Sequence, residues 1–102
     1  MNCKGQKIGG AIGLAARAGK APSGEVAVEA ALKGNKAFCL LVDATAAANA
    51  QKQYAQAAKF RGIPCYILED FDLGQAIGKP GRIVSAVTDA AFAKMIADKL
   101  MP

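Results

Sequence analysis

The chain has 102 residues, 53% of them apolar, with 13 Lys and Arg against 8 Asp and Glu and no His. That length holds one hydrophobic core, and the apolar share excludes disorder by composition. The net charge of +5 suits a polyanionic partner, and no run of like charge is long enough to be a disordered basic arm.

No linker, low-complexity stretch or internal repeat interrupts the sequence, so a single domain over residues 1–102 is expected. Helical and strand-like patterns alternate from end to end, as in an α/β layer fold. Ile8, Ile12 and Ala15 fall at helical spacing and predict a helix over 4–18, stopped by Gly19. Lys4 and Lys7 ahead of the run 8–16 also resemble a signal peptide, but Gly9, Gly10 and Gly13 make a weak apolar segment. The run is too short to span a membrane. A second helix is predicted over 24–33, capped by Ser23, with Glu25 and Glu29 favouring its positive end and Gly34 closing it.

The continuous apolar run 37–42 reads as a strand buried on both faces. Thr45 is the expected cap of a third helix reaching Phe60. Pro64 opens a strand over 64–68, and Asp70 is the expected cap of a short helix ending at Gly78. A strand over 82–87 follows. The last helix begins near Thr88 or Asp89 and carries Phe92, Met95, Ile96 and Leu100 on one stripe. A short further strand is expected around Ala21-Pro22. These elements describe a sheet sandwiched between helices, with Phe38, Leu40, Ile67, Val84 and Phe92 in the core.

The chemistry for catalysis is missing. Without His the usual general base and ordinary zinc sites are gone. Cys3, Cys39 and Cys65 are odd in number and form no Cys-x-x-Cys. Cys39 and Cys65 sit in apolar runs, which reads as buried reduced thiols and points to a reducing, cytoplasmic setting. Asp43, Glu69, Asp70 and Asp72 read as caps and turns. The stretch from Gly13 to Gly19-Lys20 is one residue too long for a phosphate loop, and that from Gly74 to Gly78-Lys79 one too short. Ala21 and Pro80 stand where a magnesium-binding hydroxyl belongs. The chain is therefore expected to be no enzyme and to use no metal or cofactor.

Two segments look built for contact with a nucleic-acid backbone. Arg17-Ala18-Gly19-Lys20-Ala21-Pro22-Ser23-Gly24 leads into the N-terminus of the second helix, whose free N–H groups attract anions, and continues into Glu25 and Val26. Ile77-Gly78-Lys79-Pro80-Gly81-Arg82 is a tight loop with two cations and exposed backbone, and Ile77 is placed to pack on an unstacked base.

The block from Leu14 to Lys20 followed by Ser23-Gly24-Glu25, the turn Asp43-Ala44-Thr45 with Asn49, and above all the block from Ala76 to Asp89 followed by Phe92-Ala93 resemble bacterial YlxQ-type proteins. These belong to the L-seven-Ae / L-thirty-e ribosomal protein family. The resemblance implies a three-layer α-β-α sandwich around a mixed, mainly four-stranded sheet. It implies binding of structured RNA, typically the kink-turn, at the start of the second helix and at the loop before the last strand. One departure stands out. Strong kink-turn binders carry Gly-x-Asn-Glu-x-x-Lys where this chain has Gly24, Val26-Ala27 and Ala30, and Glu25 and Glu29 place negative charge near the phosphate path. The expected partners are structured RNA, ribosomal or kink-turn-like, and the ribosome, bound by a monomer with no membrane partner. The alternative is a protein-interaction module on the same fold with reduced RNA affinity.

Overall fold

Apolar residues run without a break through the central strands, so each strand needs cover on both faces. The computed structural model describes residues 2–4 and 8–100. Three strands carry the buried sheet: β2 (Cys39–Asp43), β3 (Cys65–Glu69) and β4 (Val84–Val87). A three-residue strand, β1 (Asn2–Lys4), adds an edge, and the order is β1-β3-β2-β4. The sheet is mixed: β2 runs parallel to β3 with Val42 opposite Ile67, and antiparallel to β4 with Leu40 opposite Ala86.

Side chains alternate between the two faces. On one face Cys39, Leu41, Tyr66, Leu68 and Val87 pack with Ile8, Ile12, Leu73, Ile77 and Ile96, which brings in α1 (Gly9–Arg17), α4 (Leu73–Ile77) and α5 (Ala90–Leu100). On the other, Leu40, Val42, Cys65, Ile67, Val84 and Ala86 pack with Val28, Ala31, Leu32 and Ala58 of α2 (Glu25–Lys33) and α3 (Ala48–Phe60). Five helices thus cover both faces of the sheet. None of them, among the described residues, is long and apolar enough to cross a membrane.

The structure corrects several local expectations. The first helix begins at Gly9, not at residue 4, and Asn2–Lys4 is a strand paired with β3; residues 5–7 lie outside the described residues. Three residues are too few to show a strand period. No strand forms at Ala21-Pro22. The segment runs beside β4 through Thr88 N–H to Lys20, Ala86 N–H to Pro22 and Gly24 N–H to Val84, with a single bridge between Ser23 and Ser85. Pro22 has no N–H to complete a ladder, and the buried Ser85 hydroxyl donates to its carbonyl at 3.0 Å.

Caps move by one or two residues. Gly24, not Ser23, is the N-cap of α2, and Ala47, not Thr45, that of α3. Asp72, not Asp70, caps α4 by accepting from Gln75 N–H at 3.0 Å, while Asp70 takes a left-handed φ of 53°. Asp89 accepts from Phe92 N–H at the start of α5, as expected. Leu40, Ile67 and Val84 are buried, but Phe92 is partly covered and Phe38 is 47% exposed. Phe38 lies just before β2, where the α2–α3 cover ends.

Cys39 and Cys65 are free thiols, both buried. Burial, with the neighbouring Cys65 thiol, pushes Cys39 up to about 12, so it offers no thiolate nucleophile.

Core and surface aromatic or aliphatic positions separate sharply in this arrangement. Leu41→Ala, at a fully buried site, is expected to destabilise the protein by about 2–5 kcal/mol. Phe60→Ala, at an 88% exposed site, should change stability by no more than about 0.5 kcal/mol. Urea unfolding of both variants checks the pair.

Candidate functional site

The loop after α4 folds back on the helix it leaves. Gly78 closes α4 in the left-handed conformation, with φ 77°. Lys79 N–H then donates to Gly74 O at 2.8 Å and Arg82 N–H to Lys79 O at 3.3 Å. This return path is open because Gly74 has no side chain. A Cβ there would stand 2.8 Å from the Lys79 carbonyl oxygen and 2.9 Å from Gly81 N. The fold-back leaves Gly78, Lys79, Pro80, Gly81 and Arg82 exposed. Ile77, expected to meet a base, instead points into the core between α1 and α4 and is buried. It is the last residue of α4's inner face and cannot serve both sides.

Arg82 joins this loop to the start of α2. Its guanidinium Nη1 donates to the Ser23 carbonyl at 2.9 Å. The guanidinium occupies the space where a Cβ at Gly24 would lie, and Gly24 holds φ 91°. Glycine is thus required at 24 by the backbone, and its lack of a side chain leaves the room in which the arginine lies. Between Arg82 and the first turn of α2 lies an open groove of about 500 Å³, floored by Gly24, Ala27 and Ala30. Val26 stands at its rim, 85% exposed. No side chain caps α2, so the N–H groups of its first turn have no side-chain acceptor. Ser23 is buried and contributes its carbonyl, and Glu25 is exposed beside the groove.

Asp43, at the end of β2, sets the start of α4. Its Oδ2 accepts from Leu73 N–H at 3.0 Å, and its Oδ1 accepts from Thr45 N–H at 2.9 Å and Thr45 Oγ at 2.8 Å. Burial alone would raise its pKa; the hydrogen bonds from Leu73 and Thr45 together outweigh it and hold the carboxyl below its usual range. The knot fixes the helix from which loop 78–82 departs.

The structure therefore brings Arg82, the last residue of the exposed loop, against Gly24, Glu25 and Val26, and Gly78, Lys79, Pro80 and Gly81 lead into it. It does not bring Arg17 and Lys20 to the same place. Lys20 lies level with Thr88 at the far end of β4, four residues from Gly24 along an extended segment, about 13 Å away at strand rise. Arg17 is exposed at the end of α1. Sequence reasoning missed the role of Gly74 and, although it read Asp43 as a cap or turn residue, the reach of that carboxylate to Leu73 N–H. A glycine inside a short helix, and the Asp-x-Thr spacing that favours a side-chain-closed turn, were the available signals.

No family model matches the chain. Curated relatives do. It is 36% identical over 90 residues to the RNA-binding protein YlxQ of Enterococcus faecium, covering 87% of this chain and 86% of that protein. It is 34% identical over 90 residues to the RNA-binding protein YlxQ of Bacillus subtilis (strain 168), covering 87% and 90%. The chain belongs to the YlxQ family. Among solved structures, a protein of unknown function from Bacillus halodurans is similar with a TM-score of 0.83 at 29% identity, covering 90% of this chain and 94% of that one. The Giardia lamblia 15.5kD RNA binding protein shares the fold, with a TM-score of 0.72 at 17% identity, covering 90% and 80%. In this YlxQ-family chain, Arg82 ties the end of the fold-back loop to the start of α2.

The Asp43 knot has a pH signature. The folded-state pKa lies below the unfolded one, so its contribution is complete above about 3.9 and is lost as pH falls through the folded-state value. Asp43→Asn is expected to lower stability at neutral pH by about 1.5–3 kcal/mol, the range for hydrogen bonds to a charged group. The gap to wild type should close as the solution is acidified below about pH 4. Urea unfolding across a pH series reads it; a gap that persists unchanged into acid would contradict the knot.

Proposed function

We propose that this protein is a non-catalytic RNA-binding protein that uses the start of α2 and loop 78–82 as one contact surface. The observation that carries this reading is the Arg82–Ser23 strap, which presents the uncapped first turn of α2 and the Lys79 loop to a single ligand. Free helix N–H groups and exposed glycine backbone suit phosphates and sugars, and Lys79 supplies a mobile cation. The names of its YlxQ relatives support RNA as the ligand. The reading extends to a monomeric single domain, residues 1–102, in the cytoplasm, acting without cofactor on structured RNA, ribosomal or regulatory and of kink-turn shape.

Within that surface the loop carries most of the affinity. Val26, Ala27 and Ala30 line or rim the groove with no polar group to read a base edge, so contacts there position RNA and specify little of its sequence. The exposed Val26 favours a second reading, in which this face docks a protein. Lys20, at the other end of β4, and Arg17, at the end of α1, contact a different part of the RNA from the loop.

Gel-shift titrations of a kink-turn hairpin against an unbent duplex test both readings. Affinity should fall steeply with salt, and Lys79→Glu should weaken it and flatten the log–log salt slope by about 0.7 to 1. Lys79 is the preferred target because charge reversal at Arg82 would also break the strap. Val26→Asn with Ala27→Glu and Ala30→Lys should raise preference for the kink-turn, since one good bidentate base contact is worth about 1–3 kcal/mol. Salt-independent binding that ignores Lys79, or no binding at all, would favour the protein-docking reading.

A further inference from the structure

The groove between α2 and α3 changes character along its length. Glu25 flanks it at the Gly24 end and Glu29 midway, and the two charges help raise the pKa of Tyr54 after burial. At the opposite end, where α2 and α3 finish and β2 and β3 begin, the stretches 33–38 and 59–63 contain Lys33, Lys36, Lys59 and Arg61 and no Asp or Glu. All four cations are exposed. Lys33 is paired with Glu29 at 3.0 Å, and Arg61 is held by Asn35 Oδ1 at 2.9 Å. Two phenylalanines stand among them: Phe60 is 88% exposed and Phe38 is 47% exposed. Phe60 lines the α2–α3 groove and Phe38 lines an adjoining hollow of about 220 Å³, and Leu32 and Arg61 line both. Lys20 lies at the same end of β4 as Phe38, since Val87 O accepts from Phe38 N–H and the next residue, Thr88, donates to Lys20 O.

A single exposed Phe would need no explanation, and cations alone at helix C-termini would be explained by the helix dipole; here two exposed Phe line adjoining hollows among four cations. Aromatics interleaved with cations, in a region free of carboxylates in its own stretches, match the chemistry of a single strand: bases stack on the rings while Lys and Arg follow the phosphates. A second copy of the chain fits less well, because a symmetric contact would set these cations against each other. We propose that this end of the sheet is a second RNA-binding site, which takes unpaired nucleotides by stacking them on Phe60 and Phe38. The proposal rests on the RNA-binding reading above and adds a single-stranded ligand at the pole opposite loop 78–82. Stacking without hydrogen-bond readout makes the site tolerant of sequence.

Two probes separate the sites: the kink-turn hairpin, and an oligouridine of roughly twelve nucleotides, within the usual single-strand site size. Wild type is expected to bind both. Phe60→Ala should weaken the oligouridine about tenfold, as for one lost stacked base, and leave the hairpin unchanged. Lys36→Glu should do the same through charge, and Lys79→Glu should show the opposite pattern. Hairpin binding without oligouridine binding, or an oligouridine affinity that ignores Phe60 and Lys36, overturns the second site and leaves the first. An oligouridine affinity lost with Lys79→Glu instead would place the strand at the loop and also overturn it. Failure to bind either RNA overturns both readings. If Phe60→Ala merely converts a dimer to a monomer in sedimentation, with RNA binding unchanged, the aromatic patch is a self-association surface and the proposal is wrong.

Discussion

The contact on which the candidate surface depends is the one from the Arg82 guanidinium to the Ser23 carbonyl. It links two segments 59 residues apart in sequence, and it exists because Gly24 leaves the space that a Cβ would fill. Without it, α2 and the loop after α4 would be two separate features: an uncapped helix end and a basic turn. Each is ordinary alone. Two further constraints feed into it. Gly74 lets the loop fold back on α4, and Asp43 fixes where α4 starts by accepting from Leu73 N–H. A carboxylate held by hydrogen bonds from backbone and hydroxyl groups is a rigid anchor, and here it spends its acceptors on structure instead of on a ligand or a proton.

The layer order was legible because burial imposes it. Continuous apolar strands need helices on both faces, and the inner stripes of α1 and α5 follow helical spacing closely. What escaped was local. β1 is too short to carry a period, and Pro22 denies a ladder to the segment beside β4. Thr45 and Asp70 look like caps, yet Thr45 closes a turn on Asp43 and Asp72 does the capping at α4. Several Ser, Thr and Asp residues lie within a turn of each helix start, and sequence does not choose among them.

Of the candidate site, the exposed loop and the start of α2 could be read from glycines, cations and the resemblance to YlxQ proteins. The outward role of Ile77 could not, because a residue at a helix end can face either way until the packing of α1 is known. The grouping of Arg17 and Lys20 with Gly24 failed for a related reason. The segment between them is extended, not a compact turn, and carries Lys20 to the other end of β4. That displacement makes physical sense of the charge. Lys79 and Arg82 lie at the loop and Lys20, Lys33, Lys36, Lys59 and Arg61 at the pole near Phe38, while Glu25 and Glu29 occupy the groove between, so an extended polyanion is favoured at the two ends and disfavoured midway.

The measurement that bears most directly on the central claim is a heteronuclear NMR titration of the protein with a kink-turn hairpin. If Arg82 joins the two segments into one surface, the amides of Glu25, Val26 and Ala27 and those of Lys79, Gly81 and Arg82 should shift together, with one dissociation constant fitting both groups. Shifts confined to one segment, or two segments titrating with different constants, would show that the helix end and the loop do not act as a single RNA-binding surface.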